Sequence, residues 1–95
     1  MASGLLTRPD KYEIQMGEVS YSDTPNGFYQ QNVIFPKAFS GVPKVLINYN
    51  NVDSGEMPIW GTREVTKTQF TIGSWSTYGS SIYRKFNWIA IYERP

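Results

Sequence analysis

The last third of the chain has the most regular pattern of apolar and polar positions. In residues 65–72 and 86–92, large apolar side chains occupy every second position, and the segment between them is rich in Gly and Ser. This alternation predicts two antiparallel strands joined as a hairpin. In the second segment, Phe86 and Trp88 fall on one side and Ile89 and Ile91 on the other. A strand that is apolar on both faces is expected to be central and covered from both sides.

Four further strands are predicted in the rest of the chain. Apolar residues alternate from Ile14 to Tyr21, and the phase break at Gly17 predicts a bulge in this first strand. The next three are residues 31–36, 43–49 and 58–65, and the two strands of the last third span residues 69–75 and 84–92. No window keeps the three-and-four spacing of an amphipathic helix over two turns, so no helix is expected. Six short strands at regular intervals predict an all-β protein, a six-stranded antiparallel β-sandwich.

Length and charge limit the number of domains and the classes of partner. The 95 residues form one domain, which we expect to span residues 13–95, preceded by an N-terminal arm over residues 1–12. The net charge is +1 and there is no basic cluster, which argues against a nucleic-acid partner. No apolar stretch has the length of a membrane span, and the first six residues are too short for a signal peptide.

The chain contains neither cysteine nor histidine. Disulfides, thiolate metal sites and the commonest general base are therefore unavailable, and no cofactor or metal is expected. Acidic residues lie mostly in predicted turns, termini and polar strand faces, and there is no G-x-S-x-G motif. The sequence thus predicts a protein that is not an enzyme. Because a small core without disulfides is often stabilised by association, we expect an oligomer.

A set of short blocks, in a fixed order, resembles a known family. The blocks are residues 15–19, 32–39, 42–45, 65–70, 82–83 and 87–91. Together they resemble the H-type lectin domain, which is found in snail agglutinins, discoidin C-terminal domains and bacteriophage tail-associated proteins. The resemblance implies a six-stranded antiparallel β-sandwich that assembles as a homotrimer. It also implies sugar sites at the distal end, between neighbouring subunits.

The sequence departs from the family at positions that matter for sugar binding. In the animal lectins, an Asn-x-Arg motif opens the fourth strand and its arginine binds the sugar, whereas residues 55–58 here contain no arginine. The aromatic-plus-polar motif after the fifth strand is not reproduced, since Trp75 falls slightly early, and the family's disulfide is absent. The resemblance therefore implies the scaffold without the animal-lectin sugar specificity.

Five residues are candidates for ligand binding. Trp75, Tyr78 and Tyr83 flank the Gly/Ser-rich tip, where an aromatic ring can stack on the apolar face of a sugar. Asp23 and Asn26 occupy the strongest turn signal, Asp-Thr-Pro-Asn-Gly, where the family places a carboxylate for sugar hydroxyls. The alternative interpretations are a tyrosine packed on its own hairpin and ordinary turn chemistry. A polar loop at residues 50–56 lacks the spacing of a calcium loop and is interpreted as solvated.

Two functions remain in view. The first is a non-catalytic carbohydrate-binding module for host adhesion on a bacteriophage tail or similar virion component, which acts extracellularly on a cell-surface glycan. The second is a purely structural trimeric virion protein (tail, baseplate or capsid decoration) that contacts other virion proteins and has no sugar site. The absent fourth-strand arginine favours the second.

Overall fold

A computed structural model describes residues 9–50, 59–77 and 79–95. A short 3-10 turn, η1, spans Pro9–Lys11 and leads into six strands. The strands are β1 (Tyr12–Ser22), β2 (Phe28–Ile34), β3 (Lys44–Tyr49), β4 (Ile59–Arg63), β5 (Gln69–Trp75) and β6 (Tyr83–Glu93). No helix in the described residues is long and apolar enough to cross a membrane. The boundary predicted between residues 12 and 13 stays a prediction, since residues 1–8 lie outside the described part.

The strands form two antiparallel three-stranded sheets, which confirms the predicted sandwich. The first sheet has the order β1-β6-β3 and the second the order β2-β5-β4. The central position predicted for the terminal strand is also confirmed, because β6 pairs with β1 on one side and β3 on the other. Its even-numbered side chains face the core, and Phe86, Trp88 and Ala90 are all buried there. The opposite face of β6 is considered below.

The predicted pairing of β5 with β6 as a hairpin is wrong. β5 pairs with β2 and β4, while β6 belongs to the other sheet, so the Gly/Ser-rich segment crosses from one sheet to the other. Among consecutive strands, only β4 and β5 are paired in the described residues. Alternation defines a strand and its two faces, but it contains no information about the partner strand.

The phase break at Gly17 is not a bulge. β1 pairs with β6 in one continuous register from Tyr12 to Ser22, with Gly17 opposite Trp88. A Cβ atom at position 17 would lie 2.7 Å from the Trp88 ring. The glycine is therefore required by the indole that covers it, which is the close approach that strand glycines often mark.

Aromatic rings fill the space between the sheets. Trp88 lies with its ring centroid 5.6 Å from those of both Phe35 and Phe70. The ring centroid of Phe86 lies 5.0 Å from that of Tyr49 and 5.8 Å from that of Tyr21. Because these rings contact one another from both sheets, none can move to admit extra volume without displacing the next.

We predict that Gly17→Ala destabilises the protein. The added methyl group collides with an indole that is held between two phenylalanine rings, and overpacking of this kind costs about 1–3 kcal/mol. Ser20→Ala, a substitution on the outward face of the same strand, serves as the control and should change stability little. Urea unfolding followed by tryptophan fluorescence measures both, and equal midpoints for Gly17→Ala and the wild type would contradict the packing described here.

Candidate functional site

The turn before β2 and the segment before β6 meet at one end of the sandwich. The backbone N–H of Asp23 donates to the carbonyl of Ile82 at 3.0 Å, and that of Ser76 donates to the carbonyl of Gly27 at 2.9 Å. We call this the loop end, formed by residues 23–27 and by residues 76, 77 and 79–82. Asn26 has a φ of 50°, the left-handed conformation that an Asn in a turn can adopt.

A fully buried ion pair holds the loop end together. Arg84 Nε donates to Asp23 Oδ2 at 2.6 Å, and both side chains are 0% exposed. Nη1 of Arg84 donates to the Tyr49 hydroxyl at 2.7 Å, and Nη2 donates to the Ser76 hydroxyl at 3.2 Å. The other carboxylate oxygen, Asp23 Oδ1, accepts from the backbone N–H of Ile82 at 2.8 Å. The network thus connects β3 and β6 of the first sheet to residues on both sides of the loop end.

The electrostatics of this network favour the charged arginine. Burial alone lowers the pKa of Arg84, but its hydrogen bonds to Tyr49 and Asp23 outweigh burial, and the pKa is raised above its usual value. Nearby, the Tyr21 hydroxyl donates to the Ser74 hydroxyl at 2.7 Å, and burial raises the pKa of Tyr21. No buried side-chain nitrogen or oxygen in the described residues lacks a partner.

Asp23 is placed differently from the expectation of a carboxylate open to a ligand. The whole residue is 3% exposed. Its Oδ2 accepts a hydrogen bond from Arg84, and its Oδ1 accepts one from the backbone N–H of Ile82. These contacts give Asp23 a structural role at the loop end. A direct contact between Asp23 and a sugar stays a prediction that the present geometry does not support.

Two of the three predicted aromatic residues lie on opposite faces of the sandwich. Trp75 is 47% exposed and lies on the outward face of the second sheet, beside Phe28 at a ring-centroid distance of 6.4 Å. Tyr83 is 59% exposed and, by its alternation with the buried Arg84, lies on the outward face of the first sheet. One chain therefore does not bring Trp75 and Tyr83 together. Tyr78 lies outside the described residues.

Asn26 stays close to the other half of the loop end. A Cβ atom at Gly79 would lie 3.9 Å from the side-chain nitrogen of Asn26. The proposed ligand residue and the Gly/Ser-rich segment are therefore neighbours. Ligand binding by Asn26 stays a prediction, because this contact does not test it.

Sequence reasoning missed Arg84 and Phe28. The alternation of β6 places Arg84 on the same side as Phe86 and Trp88, so the sequence did contain a signal that this arginine is buried. A buried arginine requires an acidic partner, and a search for one leads to a carboxylate in a predicted turn. Phe28 could not be found in this way, because its partner Trp75 is brought to it by the pairing of β2 with β5.

A cavity lies at the other end of the sandwich. It has a volume of about 580 Å³ and is lined by both polar and apolar residues, among them Glu13, Ile14 and Arg94. Hydrogen bonds from Ser40 hold the pKa of Glu13 below its usual value, and Arg94 also donates to this carboxylate. In the described residues no group of three or more acidic side chains is placed to hold a metal ion.

Comparisons with known proteins identify solved structures that have the same fold. No family model and no curated protein matches the chain. Among solved structures, the tailspike protein gp49 of Pseudomonas phage LKA1 aligns with a TM-score of 0.75 and 15% identity, over 88% of this chain and 15% of that one. The P. aeruginosa R1 pyocin fibre aligns with a TM-score of 0.71 and 23% identity, over 85% of this chain and 23% of the fibre fragment. Discoidin II of Dictyostelium discoideum aligns with a TM-score of 0.70 and 24% identity, over 90% of this chain and 39% of discoidin II.

The fold is a discoidin-like, H-type lectin β-sandwich. The resemblance stated from the sequence is confirmed at this level. The chain spans only about a seventh of the tailspike and less than half of discoidin II. At these identities the likeness shows the fold alone.

We predict that breaking the Arg84–Asp23 pair destabilises the fold strongly. Arg84→Met leaves the Asp23 carboxylate buried without its cation, and loss of one partner of a buried pair costs about 3–5 kcal/mol. Lys85→Met is the matched control, because the neighbouring Lys85–Glu18 pair is exposed and such pairs contribute at most about 1 kcal/mol. Urea unfolding of both variants measures the difference, and similar losses for the two would show that the buried pair has no special weight.

Proposed function

We propose that the chain is a non-catalytic carbohydrate-binding module that attaches a bacteriophage tail, or a similar virion component, to a host cell surface. The observation that carries the proposal is the loop end, where a buried ion pair holds connecting segments in place next to exposed aromatic rings. A rigid scaffold that presents loops is the usual way in which a sandwich forms a binding site. The glycan, the virion location and extracellular action are all part of this proposal.

The comparisons support the proposal, although they do not identify a ligand of this chain. The structurally similar proteins include tailspikes, a pyocin fibre and discoidin II. One of them, the Gp54 tailspike of Acinetobacter baumannii bacteriophage AP22, was solved in complex with A. baumannii capsular saccharide. It aligns with a TM-score of 0.69 and 14% identity over 86% of this chain. The proposed partner of the present chain is accordingly a cell-surface glycan.

We also propose that the chain forms a homotrimer, and the outward face of the first sheet supports this. Ile14, Met16 and Leu46 are 39%, 68% and 60% exposed, and Met16 and Leu46 both pair with Ile89. Ile91 lies between Ile14 and Lys44 in the sheet and lines a groove with Leu46 and the exposed Val42. We call this surface the first-sheet face. Isolated apolar residues are normal on a surface, but a contiguous apolar sheet face marks an interface.

A trimer that buries this face would cover the outward side of β6, which the apolar pattern of the strand predicts to be covered. It also places three equal loop ends on one particle, so that weak sites gain avidity through simultaneous binding. The same face supports the alternative function, a purely structural trimeric component of a tail, baseplate or capsid. The two functions differ in whether the assembled particle binds glycans.

We predict that the protein is a trimer in solution and that Leu46→Lys makes it monomeric. A lysine in the centre of the first-sheet face would be buried without a partner, which opposes association. Light scattering should give about three times the chain mass of 10.9 kDa for the wild type and the single chain mass for the variant. Ile34→Lys is the control, because Ile34 is 72% exposed on the other sheet, and this variant should stay trimeric. A monomeric wild type at micromolar concentration would overturn the trimer.

We predict that the trimer binds glycans on an array of bacterial surface polysaccharides and that monomeric Leu46→Lys binds them at least about tenfold more weakly. The expected loss follows from avidity, because each loop end stays intact while the three sites are separated. A complete absence of binding by the wild type would reject the adhesion role and leave the structural alternative. Turnover of a chromogenic glycoside would reject the claim that the module is non-catalytic.

A further inference from the structure

A groove crosses the outward face of the second sheet close to the loop end. It has a volume of about 330 Å³, within the range of small-ligand sites. Strand pairing places three rows of residues side by side on this face. The first row is Phe28, Trp75 and Ile59, and the second is Gln30, Gly73 and Gly61. The third row ends in Arg63 on β4.

The wall of the groove is aromatic and accessible. Trp75 and Phe28 are 47% and 45% exposed, and their ring planes are inclined by 31°. Neither ring is needed to fill the core, which is made by the opposite side chains of the same strands. An exposed indole beside a groove can stack on the apolar C–H face of a sugar ring, while the sugar hydroxyls remain free for polar contacts.

The floor of the groove is formed by two glycines with different explanations. A Cβ atom at Gly73 would lie 2.7 Å from the Phe28 ring, so packing requires this glycine. A Cβ atom at Gly61 would meet no atom within 4 Å. Glycine in a strand costs roughly 0.5–1 kcal/mol relative to alanine, and the fold gives no reason for that cost at position 61. Strand glycines without a bulge mark sites where a ligand or another backbone approaches closely.

One end of the groove carries a single charge among the described residues that line it. Arg63 is exposed and forms no ion pair with any residue in the described part of the chain. A guanidinium is suited to bind a carboxylate through two parallel hydrogen bonds. The groove therefore combines an aromatic wall, an open floor and a cationic end.

We propose that this groove binds an acidic sugar residue, with the ring over Gly61, its apolar face against Trp75 and its carboxylate at Arg63. The inference rests on the proposed function and names a site and a ligand class for it. The site differs from the set predicted from the sequence, since it shares Trp75 with that set but contains neither Asp23 nor Tyr83. The proposed trimer buries the opposite sheet and leaves the groove open to solvent.

Gly61→Val tests the floor. Valine favours strands, and its side chain meets no clash at Cβ, so the variant should be at least as stable as the wild type. Its γ-methyl groups fill the groove, so it should lose acidic-sugar binding by at least about tenfold. Ile34→Ser changes the same outward face away from the groove and should bind as the wild type does. Thermal unfolding and saturation-transfer NMR with sodium glucuronate measure stability and binding.

Arg63→Gln tests the charged end. The wild type should bind glucuronate more tightly than glucose, and the two probes differ in the carboxylate that Arg63 would contact. Loss of the charge-assisted pair should reduce this preference by roughly tenfold or more, because hydrogen bonds between ionised partners are about twice as strong as neutral ones. Glucose binding should change little, which separates loss of the ion pair from loss of the fold.

The outcomes distinguish this inference from the proposed function. If the wild type binds array glycans and Gly61→Val binds them equally well, the groove is not the site and the adhesion role stands. The groove is also rejected, and the adhesion role also stands, if the wild type binds neutral sugars and shows no preference for glucuronate. If the wild type binds no glycan and no acidic monosaccharide at tens of millimolar, both proposals fail.

Discussion

The ion pair between Arg84 and Asp23 is the contact on which the loop end depends. An arginine without solvent exposure is tolerable only if its charge is balanced and its donors are used, and here Asp23, Tyr49 and Ser76 meet these needs. Because Asp23 also accepts the backbone N–H of Ile82, the pair connects the start of β6 to the turn after β1. The Gly/Ser-rich segment is thus held by the charge pair through the Ser76 hydroxyl and the backbone N–H of Ile82.

The two outward faces of the sandwich are chemically different. The first sheet presents aliphatic side chains around Ile89. The second presents Phe28, Trp75 and Ile59 near the loop end, with Gly61 and Arg63 further along the sheet. A face of aliphatic residues is suited to burial against other copies of the chain. A face with an open floor and one charge is complementary to a small polar ligand. The proposed trimer and the proposed sugar site therefore do not compete for the same surface.

Much of the fold could be predicted from the sequence because it is expressed in local alternation. The both-sided pattern of Phe86, Trp88, Ile89 and Ile91 identified the central strand correctly. The partner of β5 could not be predicted, since a strand of alternating residues pairs equally well with several neighbours. The residues predicted to form one site lie on two faces for the same reason. Trp75 and Tyr83 are near in sequence, but the intervening segment crosses between sheets and places them on opposite faces.

Three strand glycines show how a structure separates packing from function where a sequence cannot. Gly17 lies under the Trp88 indole and Gly73 under the Phe28 ring, so in both cases a neighbouring ring occupies the space of a side chain. At Gly61 that space is empty, although a side chain there would strengthen the strand. All three look alike in the sequence as interruptions of a strand. Only Gly61 has a cost in folding free energy that contacts within the chain do not explain. A cost of this kind points to a molecule that binds there.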